Sequence, residues 1–102
     1  MDKSISPHRP PHIYLDDTWY IITASTLNKA HYLSTDDRLQ LWLNMLQELT
    51  EKFGVALRAW VVLRNHYHLL LKSHIGRDIG RFIGRLNGRT SREFNLRDNA
   101  EG

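Results

Sequence analysis

Cysteine is absent from the 102-residue chain, so no disulfide can staple it and no thiolate can bind metal. Its three prolines, Pro7, Pro10 and Pro11, all lie near the start. They disfavour regular structure there, and residues 1–13 read as a flexible arm. No apolar run approaches the roughly 18 residues of a membrane span, and the polar start is no signal peptide. The expectation is a cytoplasmic protein with no membrane partner. Acidic residues are scarce in the second half. Residues 55–97 hold only Asp78 and Glu93 against nine Lys/Arg, whereas residues 1–54 hold seven acids against five. The net charge of +3 therefore hides a strongly basic block. Eight of its nine cations are Arg, the better bidentate phosphate binder. Such a block is an electrostatic footprint for nucleic acid, or else a solvated face.

What is present fits one soluble domain, with 41% apolar and 25% charged residues. The stretch Trp19–Thr26 is aromatic and β-branched and predicts a strand, entered by a turn at Asp16-Asp17. Ser34 or Thr35 caps a helix with Asp36 and Asp37 in its first turn. Leu39, Trp42, Leu43, Leu46, Leu49 and Phe53 form its buried stripe, and Gly54 stops it. Residues 55–73 predict a hairpin turning at Arg64-Asn65.

A second helix is expected from about Ile75 to Phe94, with residues 95–102 loose. Ile75, Ile79, Ile83, Phe82 and Leu86 make its core-facing side. Arg77, Arg81, Arg85 and Arg89 form a stripe roughly opposite. Gly76, Gly80, Gly84 and Gly88 form a third. Each interior Gly costs a helix about 1 kcal/mol relative to Ala. Either another backbone approaches closely along that stripe, or the helix frays. The order strand, helix, strand, strand, helix predicts an α+β fold. It is the ferredoxin-like split β-α-β-β-α sheet, with helices on one face and a right-handed first crossover. The fourth strand that normally ends this layout is missing.

The most informative segment is Val55–Lys72, whose second strand opens with His66-Tyr67-His68. Strand side chains alternate faces, so His66 and His68 point one way and Tyr67 the other. Two imidazoles side by side on a rigid strand can grip one metal ion. A metal beside a basic surface points to phosphate chemistry. The bland alternative is two surface histidines on an edge strand.

Three stretches, residues 14–24, 59–71 and 86–91, resemble the single-tyrosine HUH transposases. Within that group the closest likeness is to the REP-associated tyrosine transposases. The run Val-Val-Leu-Arg-Asn-His-Tyr-His-Leu-Leu-Leu over residues 61–71 is the most specific part. The resemblance implies that His66 and His68 bind a divalent metal, Mg²⁺ or Mn²⁺. It implies a partner in single-stranded or hairpin DNA and a reaction of DNA transposition. In such enzymes a tyrosine on a later helix attacks the metal-polarised phosphate and forms a 5′-phosphotyrosine link. Tyr14, Tyr20, Tyr32 and Tyr67 do not match that nucleophile, and a third metal ligand is also missing. No catalytic residue is therefore expected within the sequence. Residues 14–102 read as the N-terminal part of an HUH catalytic domain, lacking the tyrosine helix. Alone it should bind DNA without cutting it. The expected DNA contacts are Arg64, Lys72, Arg77, Arg81, Arg85 and Arg89.

Three other readings compete. One is a non-catalytic nucleic-acid-binding module, with Trp60 or Tyr67 stacking on bases. Another is a hydrolase holding Zn²⁺ on the two histidines. The last is self-association through the glycine stripe, which would make a homodimer.

Overall fold

The computed structural model describes residues 13–25, 33 and 35–101, with residues 97–101 as backbone. Apart from Ile13, the expected N-terminal arm lies outside the described residues, as does Tyr32. The chain order is β1 (Tyr20–Ser25), α1 (Asp36–Phe53), β2 (Val55–Val62), β3 (His66–Ser73) and α2 (Arg77–Glu101). The sheet order is β1-β3-β2, and both pairings are antiparallel. The strands β1 and β2 therefore run parallel on either side of β3, which is the expected split β-α-β arrangement. No fourth strand occurs among the described residues.

Local chemistry sets the ends of α1. Thr35 is extended at φ −125° and ψ 159°, and its hydroxyl accepts the Arg38 N–H at 3.3 Å. Gly54 closes the helix at φ 66°, where its N–H reaches the Glu51 and Thr50 carbonyls. The buried stripe is Trp42, Met45, Leu46 and Leu49, while Leu39 and Leu43 at its margin stay half-buried. Met45, absent from the expected stripe, sits three residues from Trp42 and so shares its face.

The central strand alternates cleanly. Tyr67, Leu69, Leu71 and Ser73 are buried, while His66, His68, Leu70 and Lys72 are half-buried on the other side. The Tyr67 ring lies 5.1 Å from Trp42 of α1, and its hydroxyl donates to Asn87 Oδ1 of α2 at 2.6 Å. Both helices therefore cover one face of the sheet, as expected. Burial pushes the Tyr67 hydroxyl far above its ordinary pKa.

Two details of α2 differ from expectation. Ile75 is 49% exposed, because the helix begins only after it and its N–H bonds the Ser73 hydroxyl at 3.3 Å. The helix also continues through Glu101 rather than ending near Phe94. Buried Thr90 and Phe94 extend the Ile79-Phe82-Leu86 stripe, and the Arg38 guanidinium lies 5.2 Å over the Phe94 ring.

The glycine stripe divides into two kinds. A side chain at Gly76 would collide with the backbone carbonyl of Tyr14, so close backbone approach is real there. At Gly84 and Gly88 an added Cβ would meet nothing within 4 Å. Gly76→Ala should therefore destabilise the protein by about 1–3 kcal/mol through overpacking. Gly84→Ala and Gly88→Ala should each stabilise it by about 0.4–1 kcal/mol. Urea unfolding of the three variants checks this, and equal signs would contradict it.

The raised Tyr67 pKa sets a second expectation. Its contribution is complete below about pH 10, where an unfolded tyrosine is still neutral, and is lost as pH rises toward the folded value. Stability should fall above about pH 10, less steeply in Tyr67→Phe. Melting curves across that range would refute this if the two proteins lost stability in parallel.

Candidate functional site

The sheet face turned away from the helices carries the two histidines. Period-two alternation places them there, and the pairing register gives each a setting. Thr23 of β1 sits directly opposite His68, and its hydroxyl lies 2.9 Å from His68 Nδ1. His66 Nδ1 lies 2.9 Å from Oδ1 of the preceding Asn65. Each ring thus spends Nδ1 on a neutral oxygen and leaves Nε2 for another partner, as metal-ligating histidines do. The hairpin turn fixes the entry to this strand, with the Leu63 N–H on the His66 carbonyl at 2.8 Å.

The ring centres stand 5.2 Å apart, with planes at 89°. An ion about 2.1 Å from each Nε2 would set the centres roughly 5 Å apart if the bonds met near a right angle. The pair fits a shared divalent ion on spacing and donor chemistry. Among the described residues, no cluster of three His, Asp or Glu side chains completes a ligand set.

The described tyrosines, Tyr14, Tyr20 and Tyr67, lie elsewhere. Tyr67 is buried on the reverse side of β3. Tyr20 pairs with Leu71, which faces the helices, and its hydroxyl accepts the Leu15 N–H at 2.8 Å. Tyr14 packs edge-on against Tyr20 at 5.0 Å, and partial burial raises its pKa, with Tyr20 adding to the rise. None of these three tyrosines reaches the histidine face.

The predicted basic residues separate into two groups. Lys72 shares the histidine face, and Arg64 lies in the hairpin turn next to His66. Arg77, Arg81, Arg85 and Arg89 lie on α2, across the sheet from the histidines. Arg89 pairs with Glu48 of α1 at 2.9 Å, and Arg81 lies 3.6 Å from Asp78. Arg85, Arg89 and Arg92 line a groove of about 690 Å³ whose floor includes Gly84 and Gly88. The structure does not bring this stripe to the histidines.

Three features escaped the sequence reading. Thr23 and Asn65 orient the rings. A β-bulge shifts the β2 register between Leu57 and Ala59, which leaves Arg58 as the extra residue. Trp60 consequently pairs with Leu69 on the helix side, and Tyr67 is buried, so neither presents a ring beside the histidines. The aromatic side chain near that face is Trp19, 41% exposed just before β1. Its aromatic neighbours in the strand stretch were visible in the sequence, but its facing was not.

No curated protein matches the chain. A crystal structure described as that of a candidate transposase from Deinococcus radiodurans R1 shares the fold, with a TM-score of 0.60 at 22% identity. The match covers 84% of this chain and 65% of that one, so the chain spans less than two thirds of its length. The family described as "Transposase IS200 like" matches residues 15–101, nearly the whole chain. The chain belongs to the IS200-like transposase family.

Proposed function

We propose that this chain supplies the histidine half of a metal-assisted site that cleaves and rejoins single-stranded DNA, as the likeness to REP-associated tyrosine transposases implies. The observation that carries the reading is the paired setting of His66 and His68 on one face of β3, with both Nδ1 atoms already engaged. When bound there, a divalent ion such as Mg²⁺ or Mn²⁺ supplies the positive charge that polarises a phosphate. Thr23 and Asn65 engage Nδ1 of the two rings, which leaves each Nε2 for the ion. Lys72 adds a fixed positive charge to the same face.

The nucleophilic tyrosine belongs to none of Tyr14, Tyr20 and Tyr67. Attack requires an oxygen within roughly 3–3.5 Å of the phosphorus, in line with the leaving group. Those three hydroxyls are held on or beside the helix side of the sheet. The nucleophile and a third ligand would come from a segment not in this sequence, in cis or from a second copy. The α2 arginines form a separate contact surface for another part of a hairpin substrate. Arg77 and Arg85 are its readiest contacts, since Arg81 and Arg89 must first leave Asp78 and Glu48.

Three measurements test this reading. Calorimetry should detect Mn²⁺ binding that is lost in His66→Ala/His68→Ala; undiminished binding by that variant would sink the metal site. A hairpin oligonucleotide should bind with a steep salt dependence, and Arg77→Glu/Arg85→Glu should weaken it by about tenfold or more. An unchanged affinity would remove α2 from the interface. Incubated with Mn²⁺ and labelled single-stranded DNA, the chain should form no covalent adduct on a denaturing gel. A shifted band abolished by Tyr20→Phe or Tyr67→Phe would overturn the assignment of the nucleophile.

A further inference from the structure

The histidine face has a second polar end. Lys72 Nζ lies 5.0 Å from the centre of the Trp19 ring, and Arg58 Cζ lies 5.9 Å from it. The two cations arrive from different strands. Lys72 follows the alternation of β3. Arg58 comes from β2, on the far side of β3, at the bulge between Leu57 and Ala59. A bulge re-aims a side chain at the expense of regular pairing. Strict alternation from Leu57 would have put Trp60 on this face as well.

Between this cluster and the histidines lies an open floor. Ile21 is 76% exposed and Val61 is 53% exposed, with Ile21 opposite Leu70 and Val61 opposite His68. None of the three strands contains an Asp or Glu. The floor therefore offers apolar surface bounded by positive charge at one end and imidazoles at the other. Lys72 stands four residues from His68 on the same strand, which is about 13 Å. That separation is a few nucleotides of an extended strand.

We infer that Trp19, Arg58 and Lys72 form a phosphate-binding subsite that holds single-stranded DNA a few nucleotides from the histidine pair. The inference rests on the function proposed above and assigns a second anchor to the same face. Arg58 and Lys72 contact the phosphate. Trp19 is a positioning residue, because its ring attracts both cations and holds them together. A strand gripped at both ends has its register along the sheet fixed, which decides the phosphate that reaches the histidines.

The test uses the full chain and a labelled single-stranded oligonucleotide of about 12 nucleotides, within the range bound by comparable sheet surfaces. Binding is measured across a series of salt concentrations. Arg58→Ala and Lys72→Ala should each lower the magnitude of the log–log salt slope by about 0.7, one released contact apiece. Trp19→Ala should reduce affinity by about 5- to 10-fold and also flatten the slope, since the cations lose their pedestal. Trp19→Phe, which keeps a ring, should recover most of both. Arg58→Ala/Lys72→Ala, with two solvent-accessible changes, provides a readout even if a Trp19 variant folds poorly. If the parent binds and the double variant binds equally well with the same slope, the subsite is overturned while the histidine site stands. Weaker binding by Trp19→Ala with an unchanged slope would overturn the pedestal role. No binding by the parent would overturn both this inference and the function it rests on.

Discussion

Everything in this domain hangs on the alternation of β3. Eight residues, His66–Ser73, send Tyr67, Leu69, Leu71 and Ser73 into the core and His66, His68, Leu70 and Lys72 outward. Because strand geometry allows no other division, burying the first set displays the second. A register slip of one residue would bury both histidines and expose Tyr67. The Trp42 contact and the Asn87 hydrogen bond oppose that slip, since both require Tyr67 inside. Core packing and the position of the candidate site are therefore one constraint.

The outer face is tuned by its neighbours. Antiparallel pairing with β1 delivers Thr23 to His68, while the turn delivers Asn65 to His66. Both bonds use Nδ1, so each ring has Nε2 left for a further partner. The helices contribute nothing to this face directly. They fill the opposite side, and α2 carries its arginines away from the sheet. Two chemically different surfaces result, one with imidazoles, aromatic and apolar groups, the other with guanidinium groups around bare helix backbone.

Much of this was legible in the sequence. The capping Thr35, the stop at Gly54, the turn at Arg64-Asn65 and the shared face of the two histidines follow from local rules, and local rules governed them. The arrangement of three strands and two helices followed from element order. What failed to show was non-local. The need for glycine at position 76 depends on the Tyr14 carbonyl, 62 positions away. The exposure of Ile75 depends on where α2 starts, and the burial of Phe94 depends on α1, whose Arg38 lies over its ring. The bulge at Arg58 defeated simple alternation in β2, which moved Trp60 to the helix side. The arginine stripe was correctly periodic, but periodicity could not say that the sheet would separate it from the histidines.

The proposed function rests on a divalent-ion site formed by the two histidines on the outer face of β3. The most direct test is an NMR titration with Mn²⁺, whose unpaired electrons broaden nearby resonances. Signals from His66, His68 and the neighbouring Thr23, Ser25 and Val61 should be lost selectively. Signals from Asp78, Arg81 and Arg85 on α2 should persist at the same ion concentration. Broadening centred instead on α2, or spread evenly over both layers, would contradict the proposed site.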